Sequence, residues 1–221
     1  MKRLIITIDG PSGAGKTTVS RILADRLGYR YIDTGALYRG VALAAISSGL
    51  NPDDDDGLLT LFNTLKMTFV PGEKGLRLLL NDSDVTDRIR TPELSMVASA
   101  VSAKSVVRNY LFNLQRDLGR DKNVVFEGRD MGTVVFPDAD LKFFLEASLK
   151  TRAERRFKEL SSTTSQSLEA VETDMLRRDT NDSTRDLAPL KPAEDAVRID
   201  STDLTIEEVV DKMVSVVNAL S

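Results

Sequence analysis

The chain has 221 residues, a formal charge of −4, no cysteine and no histidine. That length supports one α/β domain with a sizeable core and room for a small insertion, and the negative balance argues against a sequence-independent nucleic-acid binder. Missing cysteine and histidine exclude disulfides, thiolate metal sites and thiol nucleophiles, and leave acid–base and metal chemistry to carboxylates, lysine, tyrosine or substrate phosphate.

No stretch has the length of a membrane span and the N-terminus lacks a signal-peptide h-region, so a cytoplasmic protein with no membrane partner is expected. The apolar run Leu4–Asp9 reads as a strand and empties into Gly10-Pro11-Ser12-Gly13-Ala14-Gly15-Lys16-Thr17-Thr18. This is G-x-x-x-x-G-K-S/T, a phosphate-binding loop: its glycines let backbone N–H groups turn inward around a polyphosphate, and the helix that follows adds the positive end of its dipole. Lys16 is expected to reach the β- and γ-phosphates and Thr17 to hold Mg²⁺. An amphipathic helix to Leu27, closed by Gly28, completes the strand–loop–helix context that the motif requires.

Tyr29–Asp33 is a second strand by composition, and Thr34 opens a helix through Ser48. Thr34 and Arg39 then fall at a strand-to-helix edge on the phosphate-loop side of the sheet. The run Asp53-Asp54-Asp55-Asp56 is an exposed helix start favoured by the dipole. Met67–Val70 and Leu76–Asn81, separated by Pro71-Gly72-Glu73-Lys74-Gly75, predict a hairpin that interrupts the αβ alternation, a small antiparallel insertion at about residues 60–90. Helices follow over Pro92–Ala103 and Val106–Leu118.

Asn123–Phe126 reads as a buried central strand tipped by Glu127-Gly128-Arg129-Asp130, and Asp140–Glu146 as another, leading to an arginine-rich helix at Thr151–Phe157. Ser161–Ser167 is a polar bridge expected to be mobile. A helix through Met175 and Leu176 ends near Arg178–Arg185, Ala196–Asp200 is the last strand, and Ile206–Leu220 closes the chain with Val209, Val210, Met213, Val217 and Leu220 toward the core. The fold expected is a five-stranded parallel sheet flanked by helices, with the antiparallel insertion.

Arg39, Arg108, Arg129, Arg178 and Arg185 sit where the predicted loops converge, and Arg152, Arg155 and Arg156 lie on the helix before the polar bridge. In a chain of negative net charge, guanidinium forks gathered at loop tips read as a clamp for a second anionic substrate.

Four motifs in this order, G-P-S-G-A-G-K-T-T, D-T-G-A-L-Y-R at Asp33–Arg39, E-G-R-D-M-G-T at Glu127–Thr133 and R-D-x-x-D-x-x-R-x-x-A-P-L at Arg178–Leu190, resemble the bacterial cytidylate kinases. The resemblance implies a P-loop kinase that transfers the γ-phosphoryl group of ATP, bound with Mg²⁺, to CMP or dCMP. It implies a core of residues 1–59, 91–150 and 186–221, a nucleoside-monophosphate-binding insertion at about 60–90 and a lid at about 151–185.

Arg39, Arg129 and Arg185 would hold the CMP phosphate, Ser99, Arg108 and Asp130 would read the cytosine, and Arg178 and Asp182 would approach the sugar. Thr34 and Tyr38 would lie beside the nucleotide, and Arg152, Arg155 and Arg156 would belong to the lid, with Arg152 and Arg156 expected to act on the transferring group. Glu127 stands where the family more often has aspartate and would orient Mg²⁺ through water, with Asp9 the alternative acid. Related P-loop kinases acting on UMP, dTMP or shikimate should not share the two arginine motifs, and the guanine-reading N-K-x-D of GTP-binding switches is absent. A monomer is the expected state, since no long apolar stripe is left once the core is assigned.

Overall fold

A computed structural model describes residues 2–73, 75–160 and 166–220. In chain order the first elements are β1 (Ile5–Asp9), α1 (Lys16–Leu27), β2 (Arg30–Asp33), α2 (Thr34–Ser47), α3 (Asp55–Phe62), β3 (Met67–Gly72), β4 (Gly75–Leu80) and β5 (Ser83–Asp84). Then come α4 (Pro92–Val101), α5 (Ser105–Leu118), β6 (Val124–Gly128), a π-helical turn (Met131–Val135), β7 (Leu141–Glu146), α6 (Leu149–Leu160), α7 (Leu168–Thr184), β8 (Val197–Asp200) and α8 (Ile206–Ala219). The chain divides into two compact units, one of Met1–Arg30 with Lys122–Ser221 and one of Tyr31–Asp121.

The larger sheet has the order β2-β6-β1-β7-β8, and β1 runs parallel to both β6 and β7, as β7 does to β8. Covering such strands on both faces demands continuous rather than alternating apolar residues. That is what β6 and β7 carry: Val124, Val125 and Phe126 are fully buried, as are Leu145 and, to within a trace, Phe143. The strand expected to be central, β6, lies inside the sheet, with β1 at its middle. Helix α1 packs on β6 and α8, and α8 buries Val209, Val210, Met213 and Val217 behind a Thr205–Glu208 capping box. Arg26 of α1 ties the two helices by ion pairs to Glu207 and Asp211.

In the second unit, α2 turns Leu37, Val41, Ala42 and Ala45 inward against α4, α5 and β4. Asp54 caps α3 by accepting the Gly57 N–H at 2.9 Å, and Asp55 and Asp56 fill the first turn, as the acidic run suggested.

Three details differ from the sequence expectation. The hairpin is a three-stranded sheet, β3-β4-β5, because Asn81 and Asp82 adopt φ of 45° and 68° in the two-residue loop that pairs Leu80 with Ser83. Two consecutive left-handed residues make a type I′ turn, for which Asn and Asp are suited; the two-residue strand behind it is too short to show a period. Leu220, expected in the core, caps the C-terminal end of α8 and is 39% exposed, one residue beyond the last helical position. The turn at Met131–Val135 was not anticipated. Of the expected polar bridge, Ser161–Ser165 lie outside the described residues, while Ser167 caps α7 through the Ala170 N–H.

Phe126 of β6 stacks on Phe136 at a centroid separation of 4.5 Å, both rings being fully enclosed. Phe126→Ala is expected to cost about 3–5 kcal/mol, through lost transfer energy and the cavity left behind, read as a fall in the urea midpoint at unchanged m-value.

Candidate active site

The phosphate loop leaves β1 under tight steric terms. At Gly10 a Cβ would lie 2.0 Å from the Leu145 carbonyl oxygen of β7, and at Gly13, with φ of 73°, it would lie 2.7 Å from Met175 Cε of α7. A side chain at Gly10 would push the loop off β7, whereas at Gly13 the left-handed backbone disfavours one, the Met175 tip being flexible enough to give way. Gly15 caps α1 without a side-chain acceptor, which leaves the first amides of the helix to an anion.

Lys16 is 4% exposed, and its ammonium donates to the Pro11 carbonyl at 2.6 Å. Burial, and then the charge of Arg129, lower its pKa to about 7, with Arg178 adding to the fall and Glu127 and Asp9 opposing it. Glu127 and Asp9 offset only part of the burial and arginine charge at this ammonium, and a polyphosphate supplies the rest of its counter-charge. Beside it the Thr17 hydroxyl donates to Glu127 Oε1 at 2.9 Å. A hydroxyl and a carboxylate held together are oxygen donors of the kind Mg²⁺ takes, and Mg²⁺ normally completes its shell with substrate phosphates and water rather than with a protein cage. Among the described residues no group of three acidic side chains could hold a metal by itself.

Around the loop the same unit gathers arginines. Arg129 donates from Nε to Asp182 at 3.2 Å and from Nη1 to the Gly128 carbonyl, and Arg178 reaches the Ser12 hydroxyl at 3.5 Å. Arg185 donates to the Ala188 carbonyl at 2.8 Å and lies 3.9 Å from Asp130, with both side chains buried. Burial alone would raise the pKa of Asp182; the charges of Arg129, Arg178 and Arg185 outweigh it and hold the carboxyl below its ordinary value.

The three arginines of α6 part company. Arg152 is buried and donates to the Ser12 carbonyl at 3.1 Å and to Asp179 at 2.6 Å. Arg155 donates to the Ser201 hydroxyl and carbonyl after β8, and the Ser201 hydroxyl in turn donates to the Ala14 carbonyl. Arg156 pairs with Glu159 on its own helix at 3.0 Å. Asp9 is 4% exposed and accepts the N–H groups of Met131 and Gly132; burial raises its pKa to about 6 against those hydrogen bonds.

The second unit carries the remaining expected residues. Asp33 caps α2 through the Ala36 N–H and holds Arg39 Nη2 at 2.8 Å. Its carboxyl is kept below the ordinary value: burial opposes ionisation, but the Arg39 charge, the hydrogen bonds from Arg39 and Ala36 and the charge of Arg90 prevail. Asp33 and Arg90 had no assigned role in the sequence reading; the position of Asp33 just ahead of a helix was the available signal for a cap, whereas nothing local marked Arg90. Thr34 is buried, and the Arg108 guanidinium lies 5.9 Å from the centroid of the Tyr38 ring while donating to the Ser102 carbonyl at 3.0 Å. Ser99 lies on α4, its carbonyl accepting the Ser102 hydroxyl at 2.7 Å.

A family model for cytidylate kinase matches residues 6–219. A cytidylate kinase of Geobacter sulfurreducens is 54% identical over 215 residues, covering 97% of this chain and 92% of that protein. One of Carboxydothermus hydrogenoformans is 46% identical, with 96% of each chain covered, and one of Ligilactobacillus salivarius 43% identical, with 98% and 97% covered. Among solved structures, an uncharacterised protein from Eubacterium ventriosum superposes with a TM-score of 0.54 at 14% identity over 99% of both chains. A shikimate kinase from Acinetobacter baumannii gives 0.50 at 16% identity, over 99% of this chain and 94% of that one. These two likenesses show a shared fold.

The depressed pKa of Asp182 means that its contribution to stability is complete above its ordinary value of 3.8 and is lost as pH falls through the lower folded-state value. Asp182→Asn, which leaves buried guanidinium charge uncompensated, is expected to cost roughly 3 kcal/mol at pH 7. The gap from wild type should begin to narrow below pH 3.8, where the unfolded chain takes up its proton first, and should close only once pH falls through the lower folded-state value; urea titrations at pH 7 and pH 3 test the narrowing.

Proposed function

Because the chain belongs to the cytidylate kinase family, we propose which of its residues carry out the family's reaction. The protein transfers the γ-phosphoryl group of ATP to CMP and dCMP, giving CDP or dCDP and ADP. The observation that supports the assignment is that Arg152 donates to the Ser12 carbonyl and Arg178 reaches the Ser12 hydroxyl of the phosphate loop, where the charges of Arg129 and Arg178 also act on Lys16.

The loop Gly10–Thr18 holds the ATP phosphates through its amides, and Lys16 places its charge at the β- and γ-phosphates, leaving Pro11 for a stronger acceptor. Mg²⁺ would be held by the Thr17 hydroxyl and oriented by Glu127, and when bound it neutralises phosphate charge. Arg39, Arg129 and Arg185 grip the CMP phosphate, while Arg178 and Asp182 take the sugar. A CMP phosphate oxygen forms the new bond to the γ-phosphorus as the bond to the bridging oxygen of ADP breaks. No strong base is required, because the nucleophile is already an anion; charge neutralisation and alignment supply the catalysis. Arg152, bonded to Ser12, is the lid arginine best supported for the transferring group. Arg156, paired with Glu159 in the structure, joins it on lid closure.

Asp130 accepts from the exocyclic amine of cytosine, and Arg108 and Ser99 complete the base contacts, with Thr34 and Tyr38 alongside. Uracil would set a carbonyl against Asp130, an unpaired buried contact costing about 1–3 kcal/mol. We assign residues 60–90 to monophosphate binding and 151–185 to the lid, with the rest as core, and take the working protein as a cytoplasmic monomer.

ADP release from Mg·ATP, measured with CMP, dCMP, UMP, AMP and dTMP offered singly, checks these roles. Wild type should turn over CMP and dCMP rapidly and the others slowly. Lys16→Met should lower turnover by about two orders of magnitude or more, and near-normal turnover would remove the loop from the chemistry. Asp130→Ala should narrow the ratio of kcat/KM for CMP over UMP; an unchanged ratio sinks the base assignment.

A further inference from the structure

The loop that carries Arg129 and Asp130 leaves the end of β6, where Gly128 is the register partner of Asp9. Straight after them the chain enters the π-helical turn, and Met131 is fully buried with Gly132 close behind. Asp130 occupies the N-cap position of that turn at φ −146°, yet its side chain makes no capping hydrogen bond. The cap comes from another strand: Asp9 Oδ1 accepts the Met131 N–H at 3.0 Å and Oδ2 accepts the Gly132 N–H at 2.8 Å. With both carboxylate oxygens so engaged, the turn has its leading amides satisfied, and the Asp130 carboxylate lies instead toward Arg185. Asp9 is also the last residue before Gly10, so one side chain joins the stem of the phosphate loop to the loop carrying Arg129 and Asp130.

We propose that Asp9 is a positioning residue for acceptor recognition: by capping the Met131–Val135 turn from β1, it holds Arg129 and Asp130 at the acceptor and registers them to the phosphate loop. The carboxylate is kept out of water at a cost, since burial disfavours its charge, and a neutral side chain would serve as well if packing were its whole task. Two backbone donors side by side need a bidentate acceptor, and an amide presents one oxygen and one N–H₂ group to them. Asp9→Asn therefore keeps the volume and removes one of the two bonds. The proposal rests on the assignment of Asp130 to the cytosine.

Initial rates for Asp9→Asn should show KM for CMP raised about tenfold, KM for ATP changed less than about twofold, and the CMP-over-UMP preference in kcat/KM reduced. A merely structural role would lower kcat with every acceptor alike and leave KM for CMP and the preference in place, and that result overturns the proposal. The double variant with Asp130→Ala separates the two claims. If Asp130→Ala alone narrows the preference and Asp9→Asn narrows it no further in that background, Asp9 acts through Asp130. If Asp130→Ala narrows it and Asp9→Asn by itself does not, the base assignment stands and the Asp9 proposal falls; if Asp130→Ala leaves it unchanged, the base assignment falls first. Asp9→Ser, smaller and uncharged, replaces Asp9→Asn should the latter not fold. In the wild-type protein the Met131 and Gly132 amides should exchange with solvent as slowly as those of β1, and fast exchange at both removes the cap and the proposal with it.

Discussion

Charge concentrated where water is scarce is the constraint on which the rest of this structure depends. Lys16 is buried, and the guanidinium groups of Arg129 and Arg178 act on it, an arrangement that by itself opposes folding. The protein tolerates it because carboxylates are interleaved: Asp182 among three arginines, Asp179 on Arg152 and Glu127 beside Thr17. The balance is left short on the anionic side at Lys16, whose ammonium has a carbonyl oxygen for its near partner. A site built this way is complementary to phosphate before phosphate arrives, which is the preorganisation that electrostatic catalysis requires.

The sheet makes such a density of charge possible. Neighbouring parallel strands β1 and β6 end level with each other, Asp9 against Gly128, so the phosphate loop and the E-G-R-D loop leave the sheet side by side. Helix α7 then carries Arg178 and Asp182 one turn apart along one face, and Met175 of the same helix packs beside Gly13. Apolar packing of β6 and β7 anchors these loops from below, so that polar tips of several segments can be held to within hydrogen-bonding tolerance.

In the second unit, smaller devices do similar work. Asp33 both starts α2 and restrains Arg39, so one carboxylate fixes the helix register and the direction of a guanidinium on its second turn. Arg108 is steadied by a backbone carbonyl and the face of Tyr38. Each couples a local signal for secondary structure to a side chain assigned to the acceptor.

Periodicity and turn chemistry are local properties, and they made the elements legible: the β1–loop–α1 unit, the apolar strands β6 and β7, the capped start of α3 and the inward face of α8 could all be read from residue order. The phosphate loop was equally legible, since its function follows from glycines, a lysine and a threonine at fixed spacing. What residue order could not supply was which of Arg152, Arg155 and Arg156 meets the phosphate loop, that Asp9 caps a turn more than a hundred residues away, or that Asp182 is the counter-charge for three arginines. Those outcomes depend on distances between segments remote in the chain. A charged side chain's partner, and so its chemistry, is chosen by Coulomb attraction and desolvation after the strands have paired and brought the loops together.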